Sequence, residues 1–224
     1  MIKKILGSAF WVFLFAIATM PASSYSDGTP SSSLKEEASK KPKAVVILDA
    51  GHGGRDEGAK VHSFQEKKLT LLTTLLAKKY LTQMGYKVIL TRTKDTYLPL
   101  EKRVEFANKT KADLFVSIHF NASSSFDAKG IEVYYHGTGK SAKSKASQNL
   151  ARSVLYQMVD STEASSRGVK SGKFLVIRQT EMPSILIEAG FMTNKEERLL
   201  LKDRAYVEKI AKGVAMGIDS YIKS

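Results

Sequence analysis

The sequence predicts an α/β fold: a mostly parallel sheet of about six strands, with helices on both faces, in a single domain. Short runs rich in Val, Ile and Phe have the composition and length of buried strands. Amphipathic helix patterns separate several of these runs, and this alternation is typical of parallel sheets. With 224 residues, the chain is long enough for one sizeable hydrophobic core, and it contains no internal repeat.

The elements follow from these runs in chain order. Six predicted strands lie at Val45–Leu48, Val88–Thr91, Leu114–Ile118, Ile131–Tyr135, Phe174–Ile177 and Ile185–Ile187. Three predicted helices carry apolar residues at helical spacing: Leu69, Leu72, Leu76 and Tyr80; then Leu150, Val154, Leu155 and Met158; and finally Val207, Ile210, Val214, Ile218 and Tyr221. Gly85 is placed where the first of these helices ends.

The start of the chain has a different composition. Residues 1–24 combine a charged start, an apolar middle and small residues, which is the pattern of a secretory signal peptide. An uncleaved membrane anchor is the alternative, although the apolar part is short of the roughly 20 residues that a span needs. Residues 25–43 are polar and read as a disordered linker, so the folded domain is expected at residues 44–224. We therefore expect an exported protein, in the periplasm, or else secreted or in the cell wall.

The chain is strongly basic, with 35 Lys and Arg against 22 Asp and Glu. These charges are scattered, and no basic motif with interleaved aromatic residues indicates a nucleic-acid partner. For an exported protein the better interpretation is a basic surface attracted to an extracytoplasmic polyanion, such as the cell wall or anionic lipid. The sequence contains no cysteine, which excludes both disulfides and a lipoprotein anchor.

Polar side chains follow three of the predicted strands. His52 comes four residues after the first strand, His119 directly follows Leu114–Ile118, and Glu188 directly follows Ile185–Ile187. Sites in open α/β sheets form at the carboxyl ends of the strands. We therefore expect these three side chains to meet at one edge of the sheet.

Glycines surround His52 in the segment L-D-A-G-H-G-G-R-D-E-G, residues 48–58. Glycine permits backbone angles closed to other residues and a close approach to a ligand. A phosphate-binding loop is the alternative, but the segment lacks both the G-x-G-x-x-G spacing and a following G-K-[ST].

Two imidazoles without cysteine favour zinc, and two His with one carboxylate is a standard ligand set for catalytic zinc. Glu66 is the candidate for the third ligand. Ser63-x-x-Glu66 is also a capping-box pattern, in which Glu66 would satisfy only a backbone N–H. His62 precedes Glu66 by four residues and could form a different ligand pair with it.

Six stretches of the domain, in order, resemble the zinc-dependent N-acetylmuramoyl-L-alanine amidases, which cut the bond between muramic acid and the stem peptide of peptidoglycan. They are V-V-I-L-D-A-G-H-G-G-R-D-E-G-A, Q-E-K-K-L-T-L, T-R-T-K-D, L-E-K-R-V-E-F-A-N-K-T-K-A-D-L-F-V-S-I-H-F-N-A, G-I-E-V-Y-Y and P-S-I-L-I-E-A-G-F-M-T-N-K-E-E. The resemblance spans nearly all of residues 44–224.

The resemblance implies one zinc ion bound by His52, Glu66 and His119, with Glu188 as the catalytic glutamate. It also implies peptidoglycan or muropeptides as partners, and a role in cell-wall remodelling or daughter-cell separation. The identity of any activator protein is left open. The sequence departs from the family at Glu57, where Pro is common, and at Phe120, where a small residue is usual and a larger one could narrow the groove.

Other interpretations remain open at this point. A zinc carboxypeptidase could cut within the stem peptide, and a non-catalytic wall-binding protein could keep the same fold. A penicillin-binding serine activity is suggested by the triplets Ser147-Gln148-Asn149 and Lys170-Ser171-Gly172, with S-x-x-K only at Ser32–Lys35 or Ser220–Lys223.

Several polar residues have no role that the sequence decides. His62 and His136 are interpreted as lying outside the site. Arg92, Arg103, Asn108 and Asn121 could orient ligands or bind peptide carboxylates, or could tie loops together.

Overall fold

The computed structural model describes residues 42–224. The predicted signal peptide at residues 1–24 and most of the predicted linker lie outside the described residues. Within residues 42–224, no helix is both long and apolar enough to cross a membrane.

The elements of the described chain alternate between strand and helix. The strands are β1 (Val45–Ala50), β2 (Lys60–Val61), β3 (Phe64–Gln65), β4 (Lys87–Leu90), β5 (Leu114–Asn121), β6 (Ile131–Tyr135), β7 (Ser166–Ser171) and β8 (Ser184–Phe191). The helices are α1 (Glu66–Gln83), α2 (Leu100–Thr110), α3 (Ala142–Thr162), α4 (Leu175–Gln179), α5 (Lys195–Lys202) and α6 (Arg204–Lys223).

Six strands form one sheet in the order β4-β1-β5-β8-β6-β7. Strands β4, β1, β5 and β8 are parallel, β6 runs antiparallel to β8, and β7 is parallel to β6. The short strands β2 and β3 form a separate hairpin just before α1. The predicted mostly parallel sheet is confirmed, with two reversed strands at one edge.

One predicted strand is wrong. Residues 174–177 are not a strand: Phe174 precedes the short helix α4, whose Val176 and Ile177 are buried against the sheet. The sixth strand is β7, which contains a single apolar residue, Val169. An edge strand has one neighbour and little buried area, so it lacks the apolar run by which we identified the other strands.

Helices cover both faces of the sheet. The larger core packs α1, α3 and α6 against one face, where Val116 and Ile118 of β5 point. The smaller core packs α2 and α4 against the other face, where Phe115 points. Because side chains alternate along a strand, His119 points to the same face as Phe115, the face that carries α2 and α4.

Candidate metal centre

His52, Glu66 and His119 converge at the carboxyl end of the sheet. His52 lies in the loop after β1, Glu66 is the first residue of α1, and His119 is on β5. Glu66 Oε1 lies 3.1 Å from His52 Nε2 and 3.0 Å from His119 Nδ1. One donor atom from each of the three residues lies within 4.8 Å of the others. Two imidazoles and a carboxylate at this separation could hold a metal ion and leave a position open.

Glu66 does not act as a helix cap. Its Oε2 accepts a hydrogen bond from Ala59 N at 2.8 Å, and its Oε1 accepts one from Phe120 N at 3.1 Å. The residue before α1 is Gln65, which makes no side-chain cap. The capping-box interpretation with Ser63 is therefore wrong: two distant backbone N–H groups aim this carboxylate at the histidines.

His62 is not part of the cluster. It lies in the turn between β2 and β3 with a positive φ of 55°. Among the described residues, the group that could hold a metal ion contains two histidines, His52 and His119. Of the two possible histidine partners for Glu66 near the loop, the structure therefore selects His52.

The charges in the cluster stabilise one another. Burial favours the neutral form of Glu66, but hydrogen bonds from His119 and His52 outweigh it and hold the pKa of Glu66 well below its usual value. Burial lowers the pKa of His52, but Glu66 and Asp56 outweigh it, so this pKa is raised. A cation bound between these groups would replace the shared proton, because ligating imidazole must be neutral.

Asp56 orients the His52 ring. Its Oδ2 lies 2.9 Å from His52 Nδ1, and its Oδ1 accepts a hydrogen bond from Gly58 N at 3.1 Å. Holding the far nitrogen of a ligating histidine fixes the ring and its tautomer. Asp56 was missed by our sequence analysis; a carboxylate four residues after a candidate ligand, in the same glycine-rich loop, was the available indication.

Arg103 anchors the loop that carries His52. This buried guanidinium donates Nη1 to Asp49 Oδ1 at 2.6 Å and to Ala50 O at 2.7 Å, and Nη2 to His52 O at 2.8 Å. Asp49 is itself buried, and Arg103 and the hydroxyls around it hold its pKa low against the effect of burial. His52 has a positive φ of 59°, which costs about 1–3 kcal/mol for a non-glycine residue. The Arg103 contacts hold this backbone in place.

Arg92 holds the same loop from the side of α1. It donates Nε to Ala50 O at 3.0 Å and Nη2 to Gly51 O at 2.8 Å. The guanidinium groups of both arginines therefore tie the loop through its backbone carbonyl groups. Asn108 likewise links α2 to the chain after α4, through Gln179 O at 3.1 Å.

Glu188 lies beside the cluster on β8, with its Cα paired to that of His119 in the parallel register. Its Oε2 is shielded from solvent and has no hydrogen-bond partner among residues 42–224. Burial raises the pKa of Glu188 well above its usual value, and the charges of Glu66 and Glu132 raise it further. A shielded carboxyl group with a raised pKa suits proton transfer near neutral pH.

A cavity of about 530 Å³ connects these groups. His52, Glu66, His119 and Glu188 form its polar floor. Its apolar walls come from Tyr97 and Leu100 on one side and from Phe174, Leu175 and Val176 on the other. A cleft with apolar walls and polar groups on its floor suits an extended ligand with a polar reacting bond.

The two departures from the family pattern leave this floor intact. Phe120 is among the residues that line the cleft, but it is only 1% exposed and belongs to the larger core, which accommodates its ring. Glu57 is half-buried and forms an ion pair with Lys60 at 2.9 Å.

The serine triplets have structural contacts. Ser147 is buried in α3, where its Oγ accepts a hydrogen bond from Ser184 N at 3.0 Å. Lys170 pairs with Glu132. Ser220 is exposed in α6, whereas Ser32–Lys35 lies outside the described residues. These contacts disfavour a serine nucleophile built on these triplets.

Comparison with known proteins agrees with this geometry. The family model described as N-acetylmuramoyl-L-alanine amidase matches residues 46–220. The Bacillus subtilis protein YqiI is 38% identical over 177 residues, covering 79% of this chain and 84% of its own. The N-acetylmuramoyl-L-alanine amidase LytC of the same organism is 35% identical over 179 residues, covering 80% of this chain. The chain spans only 36% of LytC and 64% of the phage SPP1 endolysin, to which it is 38% identical.

Solved structures give the same result. The catalytic domain of the amidase CwlV from Paenibacillus polymyxa is 37% identical with a TM-score of 0.75, covering 80% of this chain and 98% of that one. An N-acetylmuramoyl-L-alanine amidase from Clostridium difficile 630 is 37% identical with a TM-score of 0.76, covering 81% and 97%. The CwlD amidase of Clostridioides difficile, solved with the GerS lipoprotein, is 32% identical with a TM-score of 0.75, covering 80% and 98%.

Proposed function

Since the chain belongs to the N-acetylmuramoyl-L-alanine amidase family, we propose that it hydrolyses the amide bond between N-acetylmuramic acid and the L-alanine of the peptidoglycan stem peptide. The observation that carries the proposal is the placement of Glu188 beside His52, Glu66 and His119 on the floor of one cleft. Such a floor combines a possible metal site with a separate proton-transfer group, as metal-assisted amide hydrolysis requires.

The proposed metal is one zinc ion held by His52, Glu66 and His119. Two imidazoles, one carboxylate and an open fourth position fit catalytic zinc. When bound, zinc supplies a Lewis acid that polarises the scissile carbonyl and makes water a better nucleophile at neutral pH. Asp56 keeps His52 in the orientation needed for ligation.

Glu188 is the proposed proton-transfer group. An amide resists hydrolysis because water is a poor nucleophile and the amine a poor leaving group. Glu188 accepts a proton from the attacking water and donates it to the nitrogen of L-alanine as the C–N bond breaks. Its raised pKa makes the carboxylate a stronger base and its protonated form a usable acid near neutral pH.

The proposed setting is outside the cytoplasm, in cell-wall remodelling or daughter-cell separation. The pattern of residues 1–24 and the net charge of +13 support export and attraction to an anionic wall. Peptidoglycan or its muropeptide fragments would be the partner.

Product analysis tests the proposal. Purified peptidoglycan is digested with the protein, and the products are identified by mass spectrometry. Release of stem peptides beginning with L-alanine supports the amidase. Shortened peptides that remain on muramic acid would instead indicate a zinc carboxypeptidase. Loss of activity with a chelator, and its recovery with Zn²⁺ in preference to other divalent ions, tests the metal assignment in the same assay.

A further inference from the structure

A second buried carboxylate lies directly beside Glu188. Glu132 on β6 is the antiparallel partner of Glu188 on β8, so the two side chains share one face of the sheet. Glu132 is 2% exposed and accepts four hydrogen bonds. The donors are Asn121 Nδ2 at 2.9 Å, Tyr134 Oη at 2.8 Å, Arg167 Nε at 2.8 Å and Lys170 Nζ at 2.5 Å.

This arrangement places two cations on one carboxylate. One cation suffices to neutralise Glu132, so the second is not required to balance the charge of this carboxylate. Their side chains are 35% and 39% exposed. Arg167 makes one further hydrogen bond, from Nη1 to Lys129 O at 3.3 Å, and Lys170 Nζ makes no further hydrogen bond among residues 42–224. The two cations also lie over aromatic rings, Arg167 at 4.8 Å from the centre of Phe191 and Lys170 at 6.0 Å from that of Tyr134. Most of the eight N–H groups of the pair are therefore available to another acceptor.

The pair lies one layer of side chains beyond the cleft. Asn121 lines the cleft and bonds to Glu132. Phe174 also lines the cleft, and its ring meets that of Tyr134 edge to face at 5.0 Å. Lys170 is the parallel partner of Tyr134 on the neighbouring strand β7. The basic pair thus stands at the β7 edge of the cleft, on the same side as Glu188.

The distance between Glu188 and the basic pair indicates which residue of a bound peptide could reach the pair. From β8 across β6 to β7 is two strand spacings, or roughly 10 Å. An extended peptide advances about 3.3–3.6 Å per residue. A peptide that crosses the sheet edge from Glu188 therefore brings its second or third residue within reach of Lys170 and Arg167.

We propose that Arg167 and Lys170 form a subsite that binds a carboxylate on the second or third residue of the stem peptide. The inference rests on the proposed amidase function and names the substrate class of that site: stem peptides whose carboxylate is free, in preference to peptides in which it is an amide. Glu132 holds the two cations in position.

The test compares matched substrates and variants. The substrates are N-acetylmuramoyl tripeptides that carry the carboxylates of residues two and three either free or converted to amides. The variants are Lys170→Gln and Arg167→Gln, each of which leaves Glu132 one cation. Lys209→Gln is the matched control, because exposed Lys209 lies on α6, on the opposite face of the sheet.

The expected result is a selective change in KM. For the wild type, KM should be roughly fivefold lower for the free acid than for the amide, the size of a half-exposed charge pair. Lys170→Gln and Arg167→Gln should each remove most of this preference, raising KM for the acid while leaving the pH-independent plateau of kcat for both substrates within about twofold. Lys209→Gln should keep the wild-type preference.

Two outcomes would overturn the inference: a wild type that does not distinguish the two substrates, or variants that impair both substrates equally, as a purely structural role for the pair predicts. Failure of the proposed function looks different, since the wild type would then hydrolyse neither substrate. In that case calorimetric binding of the same two compounds decides the inference by itself: binding stronger for the acid and weakened by Lys170→Gln supports it, and equal binding overturns it.

Discussion

At the scale of single residues, the buried position of Glu188 destabilises its ionised carboxylate. Its folded pKa is raised, so below the unfolded value of about 4.5 both states are protonated and the group is neutral for stability. As pH rises above that value, the folded state disfavours ionisation and stability is lost. Glu188→Gln, which carries no ionisable group, should therefore stabilise the metal-free protein at pH 7.

The same variant should separate catalysis from metal binding. We expect full zinc content and a loss of hydrolysis of about 10²–10⁴-fold or more, because one group handles both proton transfers. Thermal melts at pH 4 and pH 7 should show the stabilisation only at the higher pH. Glu196→Gln is the control, since that side chain is 77% exposed. Hydrolysis within a few-fold of the wild type would show that Glu188 is structural.

Glu66 and Asp56 should differ in their effect on the metal. Glu66→Gln replaces an anionic donor atom by a neutral one, so zinc affinity should fall by orders of magnitude. Asp56→Asn removes only the group that orients His52, and we expect a loss of about 10–100-fold. Competition with a fluorescent zinc chelator measures both. An equal loss in the two variants, or normal affinity in Glu66→Gln, would contradict the proposed ligand set.

Glu132 should influence the pH dependence of hydrolysis. Its negative charge raises the pKa of Glu188, and its removal would also leave the cations Arg167 and Lys170 unpaired nearby. Both changes lower the pKa of Glu188. Because the general base must be deprotonated, Glu132→Gln should move the acid limb of the kcat profile to lower pH. An acid limb that stays in place, or moves to higher pH, would argue against Glu188 as the titrating base.

At the scale of elements, the loop between β1 and β2 is shaped by close contacts that only glycine allows. A Cβ atom on Gly58 would lie 2.5 Å from Glu66 Oε2 and 2.6 Å from His52 Cδ2, and φ there is 64°. Gly58→Ala should therefore displace two proposed ligands and lower zinc affinity at least tenfold. Gly85→Ala is the matched control, because its φ is 90° but the nearest atom is 3.7 Å away.

The two glycine variants should share the cost of backbone strain, about 1–2 kcal/mol in the free energy of unfolding. Only Gly58→Ala should also lose zinc. Denaturant unfolding of the metal-free forms, together with zinc titration, distinguishes the two effects. If both variants bind zinc as the wild type does, the loop adapts more easily than its contacts indicate.

The elements also show which parts of the fold the sequence could predict. Buried central strands such as β5 have long apolar runs, and α1, α3 and α6 have clear apolar stripes, so these were predicted correctly. The edge strand β7 has no apolar run, whereas the residues around α4 are apolar because they pack beneath the sheet. The apolar pattern of a single sequence indicates that a segment is buried, but not whether a short segment is a strand or a helix. The buried residues around α4 were therefore predicted as a strand, and the strand β7 was not predicted.

The site shows a similar division. Three strand-end residues, His52, His119 and Glu188, could be identified because the topology of a parallel sheet brings strand ends together. Glu132 and Lys170 could not, because their position beside Glu188 depends on the register of two reversed strands. The capping pattern at Glu66 was misleading for a related reason: its partners are Ala59 in the loop before β2 and Phe120 on β5, and the local pattern around Ser63 indicates neither of them.

At the scale of the whole molecule, one face of the sheet carries the larger core and the other face carries the cleft. The larger core, with α1, α3 and α6, holds most of the buried apolar side chains. The other face carries the thinner cover of α2 and α4, which leaves the cleft open between them above the strand ends. Stability and chemistry therefore depend on different faces, which is why Lys209 on α6 can serve as a control for residues at the cleft.

The folded unit should begin slightly earlier than the predicted boundary at residue 44. Lys43 N donates to Gly85 O at 3.2 Å, and its ammonium lies 5.5 Å from the centre of the Tyr86 ring. Val45 exchanges two hydrogen bonds with Asp113, at 2.7 and 2.9 Å. These contacts fix the start of β1 against the neighbouring strands on both sides.

A truncation series tests this boundary and the independence of the domain. A chain of residues 42–224 should match one of residues 25–224 in zinc content, specific activity and unfolding midpoint, since every residue of the site and of both cores lies within it. A chain of residues 46–224 loses the Lys43 and Val45 bonds and the bond from Lys87 N to Ala44 O at 3.0 Å. At about 1 kcal/mol for each net hydrogen bond, it should be less stable by about 3–4 kcal/mol while keeping its zinc ligands. Equal stability of the two shorter chains would place the start of the folded unit at β1 itself, and loss of activity in the 42–224 chain would show that residues 25–41 contribute to function.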